Sequence, residues 1–333
     1  MPEVIDWREG VIRATRDLTP RVRMIEIDPK GDFVQPSPGS HLNVSVVIRE
    51  RPDVRSYSIV GPCSDGVYRI AVKLLADSRG GSAYMWSLVP GSRLTHSAPA
   101  NHFGLALGRP DYLLLAGGIG VTPIFSHALA LAEAGARFRV VYACRSRGDL
   151  ALAQELEASV GDRLDIVLTE EGRRVDIAAA IAGLDPQGEF YVCGPIGMLE
   201  AAKRCWGASG RPADRLRFET FGSSGQYPSV PFTVRIPRLG KEIVVPANQT
   251  MLEALEASGV EMIFDCLRGE CGLCALPILK ADGPVDHRDV FLSEAEKTQN
   301  AKLCTCVSRV CGGAISVDTA DRWHRPAGRE GTP

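Results

Sequence analysis

"CLRGECGLCALPILK", residues 266–280, places Cys266, Cys271 and Cys274 inside nine residues. Glycine and charged residues lie between them, so the stretch is not a packed apolar core. Thiols at that density hold something, and three ligands leave a site one short.

The spacing C-x4-C-x2-C, with a fourth cysteine further on, is the pattern of a plant-type [2Fe–2S] centre. Soft thiolates hold iron tetrahedrally. Gly269 and Gly272 suit a loop that must turn sharply and aim its amides at sulfur. The competing reading is a zinc-containing module that recruits a partner, but zinc modules favour paired C-x2-C knuckles and one such pair occurs here. Cys304, Cys306 and Cys311 compete for the fourth position, with 29, 31 and 36 residues intervening after Cys274. Spacing alone favours Cys304.

The remaining sequence bounds the class. A chain of 333 residues holds two or three domains. With 45% apolar and 23% charged residues it reads as globular and soluble. A net charge of −2 gives no reason to expect nucleic acid or an anionic membrane as partner. No apolar run approaches a membrane span, and "MPEVIDWREGVIRATRD" lacks a signal-peptide core, so the expectation is cytoplasmic. In a reducing compartment ten cysteines argue against a disulfide framework. Cys63, Cys144 and Cys205 read as small buried hydrophobes.

Three regimes follow one another. Up to about residue 105, short alternating runs such as "VRMIEID" and "HLNVSVVI" are broken by Gly, Pro and Asp, which suggests an antiparallel barrel. From about 110 to 221, apolar strands "YLLLAGG", "FRVVYACR", "LDIVLTEE" and "EFYVCG" alternate with helical stretches "PIFSHALALAEAGA" and "DLALAQELEASVG", as in a covered parallel sheet. "FGSSGQYPSV", 221–230, reads as a linker. After it come a hairpin "FTVRIPRLGKEIVVP", a helix "TMLEALEASG", the cysteine loop and a last strand "GAISVD".

Two motifs could hold ligands. In "RSYSIVGP", 55–62, Arg55 and Tyr57 share one face of a strand, and Ser56 and Ser58 the other. Arginine can clamp a phosphate and tyrosine can lie along a flat ring. "RGGSAYMW", 79–86, is a glycine turn entering a helix whose first amides can hold a phosphate. "YRIAVK", 68–73, offers strand backbone to a ring edge. The second motif, "LLLAGGIGVTPI", 113–124, puts glycines between a buried strand and a helix, where a parallel sheet binds a dinucleotide. No ribose-reading acid stands in the usual place; the next strand ends instead in Arg145 and Arg147. "YVCGPIGM", 191–198, repeats the glycine turn, so two turns define a crevice.

In order, "RSYS", "GGS", "GGIGVTPI", "YVCGP", "FETFG" and C-x4-C-x2-C…"CVSR" resemble the phthalate dioxygenase reductase family, within the ferredoxin–NADP reductase superfamily, along essentially the whole chain. The resemblance implies an antiparallel FMN-binding β-barrel over 1–106, a parallel α/β NAD(P)H-binding domain over 107–223, a linker over 224–230 and a β-grasp ferredoxin domain over 231–333. It implies FMN, NADH and a [2Fe–2S] cluster as cofactors. Arg55, Ser56, Tyr57 and Ser58 would hold the flavin, Val72 and Lys73 would run along it, and Gly80, Gly81 and Ser82 would meet its phosphate. Gly118, Gly120, Thr122 and Pro123 would line the nicotinamide crevice opposite Cys193, Gly194 and Pro195, with Thr122 and Cys193 as catalytic candidates. Arg145 and Ser146 would face the adenosine half. Phe221 matches an aromatic that stacks on the flavin, with a linker anchor as the equal alternative.

"CVSR" and a loop, "ILKADGPVDHRDVFLS", two residues longer than the family's move the fourth ligand from Cys304 to Cys306. The implied metal set is Cys266, Cys271, Cys274 and Cys306. Trp86 stands where a histidine is usual, and Gly61 where an asparagine is common. The implied partner is a terminal oxygenase of Rieske non-haem iron type, with a cytochrome P450 as the alternative acceptor and oxygen or a quinone as a further one. A monomer is expected. Arg268, Arg288 and Arg309 could ring the cluster, though each taken alone reads as solvated surface charge.

Overall fold

The structure, a computed structural model, describes residues 6–48, 51–76, 80–221, 227, 229–265, 267 and 269–319. It divides into two compact units, Met1–Phe221 and Gly222–Pro333. No helix among the described residues is long and apolar enough to cross a membrane.

The first unit opens with six strands: β1 (Trp7–Thr19), β2 (Val22–Pro29), β3 (His41–Ile48), β4 (Arg51–Ser58), β5 (Tyr68–Lys73) and, after a short helix α1 (Gly81–Ser87), β6 (Arg93–Ser97). They pair antiparallel in the order β4-β3-β6-β1-β2-β5. A bridge between Ile59 and Ile70 joins the two edges, so the sheet closes into a barrel. Alternation explains its interior. Ile25 and Ile27 on β2, and Leu42, Val44 and Val46 on β3, recur at every second position and are buried together.

The rest of this unit is a parallel sheet of β7 (Tyr112–Gly117), β8 (Phe138–Cys144), β9 (Leu164–Leu168), β10 (Glu189–Cys193) and β11 (Leu216–Glu219), ordered β11-β10-β7-β8-β9. Helices α2 (Val121–Glu133), α3 (Ala153–Val160), α4 (Ile177–Ala182) and α5 (Ile196–Ala208) lie between the strands in sequence. All six residues of β7 are buried, as expected of a strand covered on both faces. The chain turns back between β7 and β10, which makes their C-terminal ends the switch point of the sheet. β11 has no counterpart in the sequence reading. Its four residues, LRFE, line an edge and lack a continuous apolar run.

Barrel and sheet share one core. Val22, Met24, Val60 and Ala71 of the barrel pack in the same cluster as Ile124, Phe125 and Tyr142. Helix α2 fastens the two. Ser126 Oγ donates to the Ile59 carbonyl at 3.0 Å and accepts from Gly61 N–H at 3.0 Å. His127 Nε2 donates to the Phe103 carbonyl at 2.9 Å.

The second unit contains β12 (Phe232–Ile236), β13 (Lys241–Val245), α6 (Met251–Ala257), β14 (Ala275–Ala281), β15 (Val285–Asp286), α7 (Glu294–Gln299), β16 (Lys302–Cys304), β17 (Arg309–Val310) and β18 (Ala314–Val317). Five strands form a mixed sheet, β13-β12-β18-β14-β16, with β12 parallel to β18. Thr250 and Glu253 close a capping box at the start of α6, and Met251 and Leu255 share a core with Val234 and Ile315. This is the β-grasp arrangement.

Candidate functional site

The glycine turns meet at the switch point. Gly118 has φ +54°, open to glycine at little strain. A Cβ on Gly120 would lie 2.2 Å from the Cys193 carbonyl oxygen, and one on Gly194 3.0 Å from Gly117 Cα. Backbone therefore packs on backbone between β7 and β10. Gly117 belongs to this contact too, since its Cβ would strike the Pro195 ring at 2.6 Å. Pro123 is buried in the first turn of α2. The Thr122 hydroxyl donates to the Ile119 carbonyl at 3.0 Å, within its own turn. Cys193 is fully buried at the end of β10.

The ends of β8 and β9 are more acidic than the sequence reading foresaw. Ser146 Oγ donates to one Asp149 oxygen at 2.9 Å, and Arg21 Nη2 of the barrel donates to the other at 2.7 Å. Arg147 pairs with Glu171 at 2.7 Å, and its N–H donates to Glu170 at 2.9 Å. Arg145 is exposed. These acids come from two different loops, so no sequence motif joins them.

On the barrel, Arg55 pairs with Asp53 at 2.7 Å and lies along the start of α1. A Cβ on Gly81 would be 2.8 Å from Arg55 Nε. Gly80, with φ +113°, turns the chain into that helix, and Ser82 Oγ accepts from Leu75 N–H at 3.3 Å. Guanidinium and first-turn amides thus converge, as a phosphate requires. Ser56 Oγ donates to Asn43 at 2.6 Å. Burial pushes the Tyr57 phenol up to about 12. Ser58 Oγ is buried with no hydrogen-bond partner among the described residues. An unpaired buried hydroxyl costs about 1–3 kcal/mol, so it fits a site completed by a polar ring edge.

The Val72 carbonyl accepts from Trp86 Nε1 at 3.0 Å, and its side chain sits in the barrel core. Trp86 is held in turn by Arg23, whose guanidinium lies 4.4 Å from the indole centroid. Lys73 ends β5, opposite Val22, and is half-buried. Phe221 packs half-buried against the shared core at the end of the first unit.

In the second unit, Cys266 and Arg268 lie outside the described residues. The loop between them and Cys274 is wound tightly: Leu267, Gly269 and Gly272 have φ +54°, +77° and +73°. A Cβ on Gly269 would be 2.7 Å from the Val307 side chain, and one on Gly272 2.3 Å from the Phe291 ring. Cys274 is buried and bonds the thiols of both Cys304 and Cys306, which hold its thiol well below the usual range. The same bond, and burial, push Cys304 up. Thr305 Oγ1 donates to the Cys274 carbonyl at 2.9 Å, fastening the second segment to the first. Cys311 has Asp286, Arg288 and Arg309 as its charged neighbours instead. Thiols packed this closely lose their protons together only against a cation. Cys274, Cys304 and Cys306 offer the soft thiols that an iron cluster takes as ligands.

Residues 234–311 match the 2Fe-2S iron-sulfur cluster binding domain, and residues 114–204 the oxidoreductase NAD-binding domain. The chain is 37% identical over 321 residues to the heme-dependent oxidative N-demethylase beta subunit of Ectopseudomonas mendocina, covering 96% of this chain and 100% of that one. The chain belongs to the phthalate dioxygenase reductase family. The solved phthalate dioxygenase reductase, described as a modular structure for electron transfer from pyridine nucleotides to [2Fe-2S], has a TM-score of 0.73 and 29% identity over 94% of this chain and 98% of that one. The carnitine monooxygenase reductase subunit of Escherichia coli is 33% identical over 84% of this chain and 88% of its own. An intact type IV self-sufficient cytochrome P450 monooxygenase has a TM-score of 0.65 and 31% identity; this chain covers 41% of it.

Like other phthalate dioxygenase reductases, the chain is an electron-transferring oxidoreductase that joins an NAD-binding domain to a [2Fe–2S] domain. Arg288 and Arg309, read from sequence as solvated charge, are buried in this reductase.

Proposed function

We propose that this chain is the NADH-dependent reductase component of a multi-component oxygenase, a cytoplasmic monomer that delivers single electrons to a separate terminal oxygenase. One observation carries the reading: a switch-point crevice, a barrel with an arginine laid on a glycine-started helix, and a buried thiol group occur in one chain. When bound, FMN would supply a hydride acceptor able to release electrons one at a time, and the [2Fe–2S] cluster a one-electron carrier.

The chain does the placing. Arg55 and the amides of Gly81 and Ser82 hold the phosphate, and Ser58 offers its free hydroxyl to the ring. Gly117, Gly120 and Gly194 let the two strand ends pack backbone on backbone, Gly118 leaves open space in its turn for the nicotinamide, and Cys193 lies behind it. Asp149, Glu170 and Glu171 favour a ribose hydroxyl over a 2′-phosphate. Cys266, Cys271, Cys274 and Cys306 hold the cluster. Cys306 lies in the turn whose neighbours touch the loop directly, Thr305 at Cys274 and Val307 at Gly269. The domains run over 1–106, 107–223 and 231–333, with 224–230 between the last two.

The acceptor is a Rieske-type oxygenase acting on an aromatic or amine compound. Relatives named as reductase subunits of carnitine and toluene-4-sulfonate monooxygenases support an oxygenase as the acceptor. A haem acceptor is the second reading, favoured by the name of the N-demethylase relative and by the fused P450. Protein reduced anaerobically with NADH, then mixed in stopped flow with a purified Rieske oxygenase or a P450, separates them. Faster cluster reoxidation by the Rieske protein is expected. Transfer to the haem protein alone would reject this acceptor.

A further inference from the structure

Two buried arginines of the second unit hold the stretch by which the chain enters it. The Arg288 side chain is 9% exposed. Its Nε donates to Asp286 at 2.7 Å, its Nη1 to Ser229 Oγ at 3.2 Å and its Nη2 to the Tyr227 carbonyl at 3.1 Å. Arg309 is 5% exposed. Its Nη2 donates to the carbonyls of Val230 at 3.1 Å and Pro246 at 2.9 Å, its Nη1 to that of Gln249, and its guanidinium lies 5.0 Å from the Phe232 ring centroid. Burying a guanidinium is costly unless its donors are satisfied. Arg288 thus donates to acceptors on Tyr227 and Ser229, and Arg309 to one on Val230, all in the stretch that precedes the first strand of the unit.

The clamp is joined to the cysteine loop. Arg288 N–H donates to Ser308 Oγ at 3.2 Å, which donates to Asp289 at 3.1 Å. The other Asp289 oxygen accepts from Leu292 N–H at 2.9 Å. Asp289 Cα is the backbone atom that a Cβ on Gly269 would meet at 2.8 Å. The point where the chain reaches this unit is therefore fixed relative to the loop that carries Cys271 and Cys274.

We infer that Arg288 and Arg309 are positioning residues that shorten the tether between the flavin unit and the cluster, and so speed the transfer of each electron from flavin to cluster. The inference rests on the function proposed above. With the clamp, the tether runs from Phe221 to Tyr227; without it, it runs to Phe232 where β12 begins. Once a tether is long enough to span the pair, their effective concentration falls roughly as the −3/2 power of its length, and in that regime loss of the clamp is worth about a two- to three-fold change.

The test uses the full-length holoprotein and R288Q/R309Q, mixed anaerobically with NADH in stopped flow. The flavin phase should keep its rate, and the cluster phase should slow by about two- to three-fold. The circular dichroism of the cluster should not change, and hydrogen exchange over 229–232 should quicken. Five residues inserted after Gly225 lengthen the same tether with both arginines intact, and should slow the cluster phase equally. If the insertion slows that phase and the double variant does not, or if exchange over 229–232 is unaltered, the clamp is overturned. If the insertion has no effect, tether length does not govern the step and the inference falls. Absence of any flavin bleaching in the unaltered protein would strike the proposed function instead.

Discussion

Cys274 bonds both candidates for the fourth iron ligand, and they differ in where the chain carries them. Cys304 closes a strand; Cys306 lies in the turn applied to the loop. Cys306→Ser should abolish the visible iron–sulfur absorption, and Cys304→Ser should retain it with iron content near that of the parent. The reverse pattern, read by iron analysis and spectra, would move the ligand to Cys304. The thiol spacing was legible because cluster geometry dictates it. The choice of the last thiol was not, because it depends on how two segments distant in sequence come together. Arg288 and Arg309 misled for a related reason. Arginine is rarely buried without partners, and their partners are mostly backbone carbonyls, which no residue pattern reveals.

At the scale of elements, α2 ties the parallel sheet to the barrel, and His127 is its buried latch. Burial holds the imidazole down to about 4, against an ordinary value of 6.5. The native state therefore keeps His127 neutral. As pH falls from 6.5 towards 4, the unfolded chain gains a proton that the native one refuses, and stability is lost across that window. The loss should reach about 3 kcal/mol near pH 4. Denaturant midpoints measured from pH 7 to pH 4 should fall for the parent and fall less for His127→Gln. Equal slopes would show that His127 does not govern them. Strand periodicity made the barrel and the buried strands legible. The start of α3 was not: Leu152 sits at φ +61°, so the helix begins at Ala153 rather than at Asp149. The edge strand β11 was too short and too charged to signal itself.

For the whole molecule, the order of barrel, parallel sheet and β-grasp unit makes a path from a two-electron donor to a one-electron carrier. That order was legible in the sequence, since each regime carries its own periodicity and its own ligand motif. The acids around Arg147 were not, because Glu170 and Glu171 follow β9 whereas Arg147 follows β8. An anaerobic NADH titration, followed by visible absorption, tests the path most directly. A flavin holding two electrons and a cluster holding one predict complete bleaching at about one and a half NADH per chain. An end point at one NADH with the iron signal untouched, or a colourless protein that NADH leaves unchanged, would contradict it.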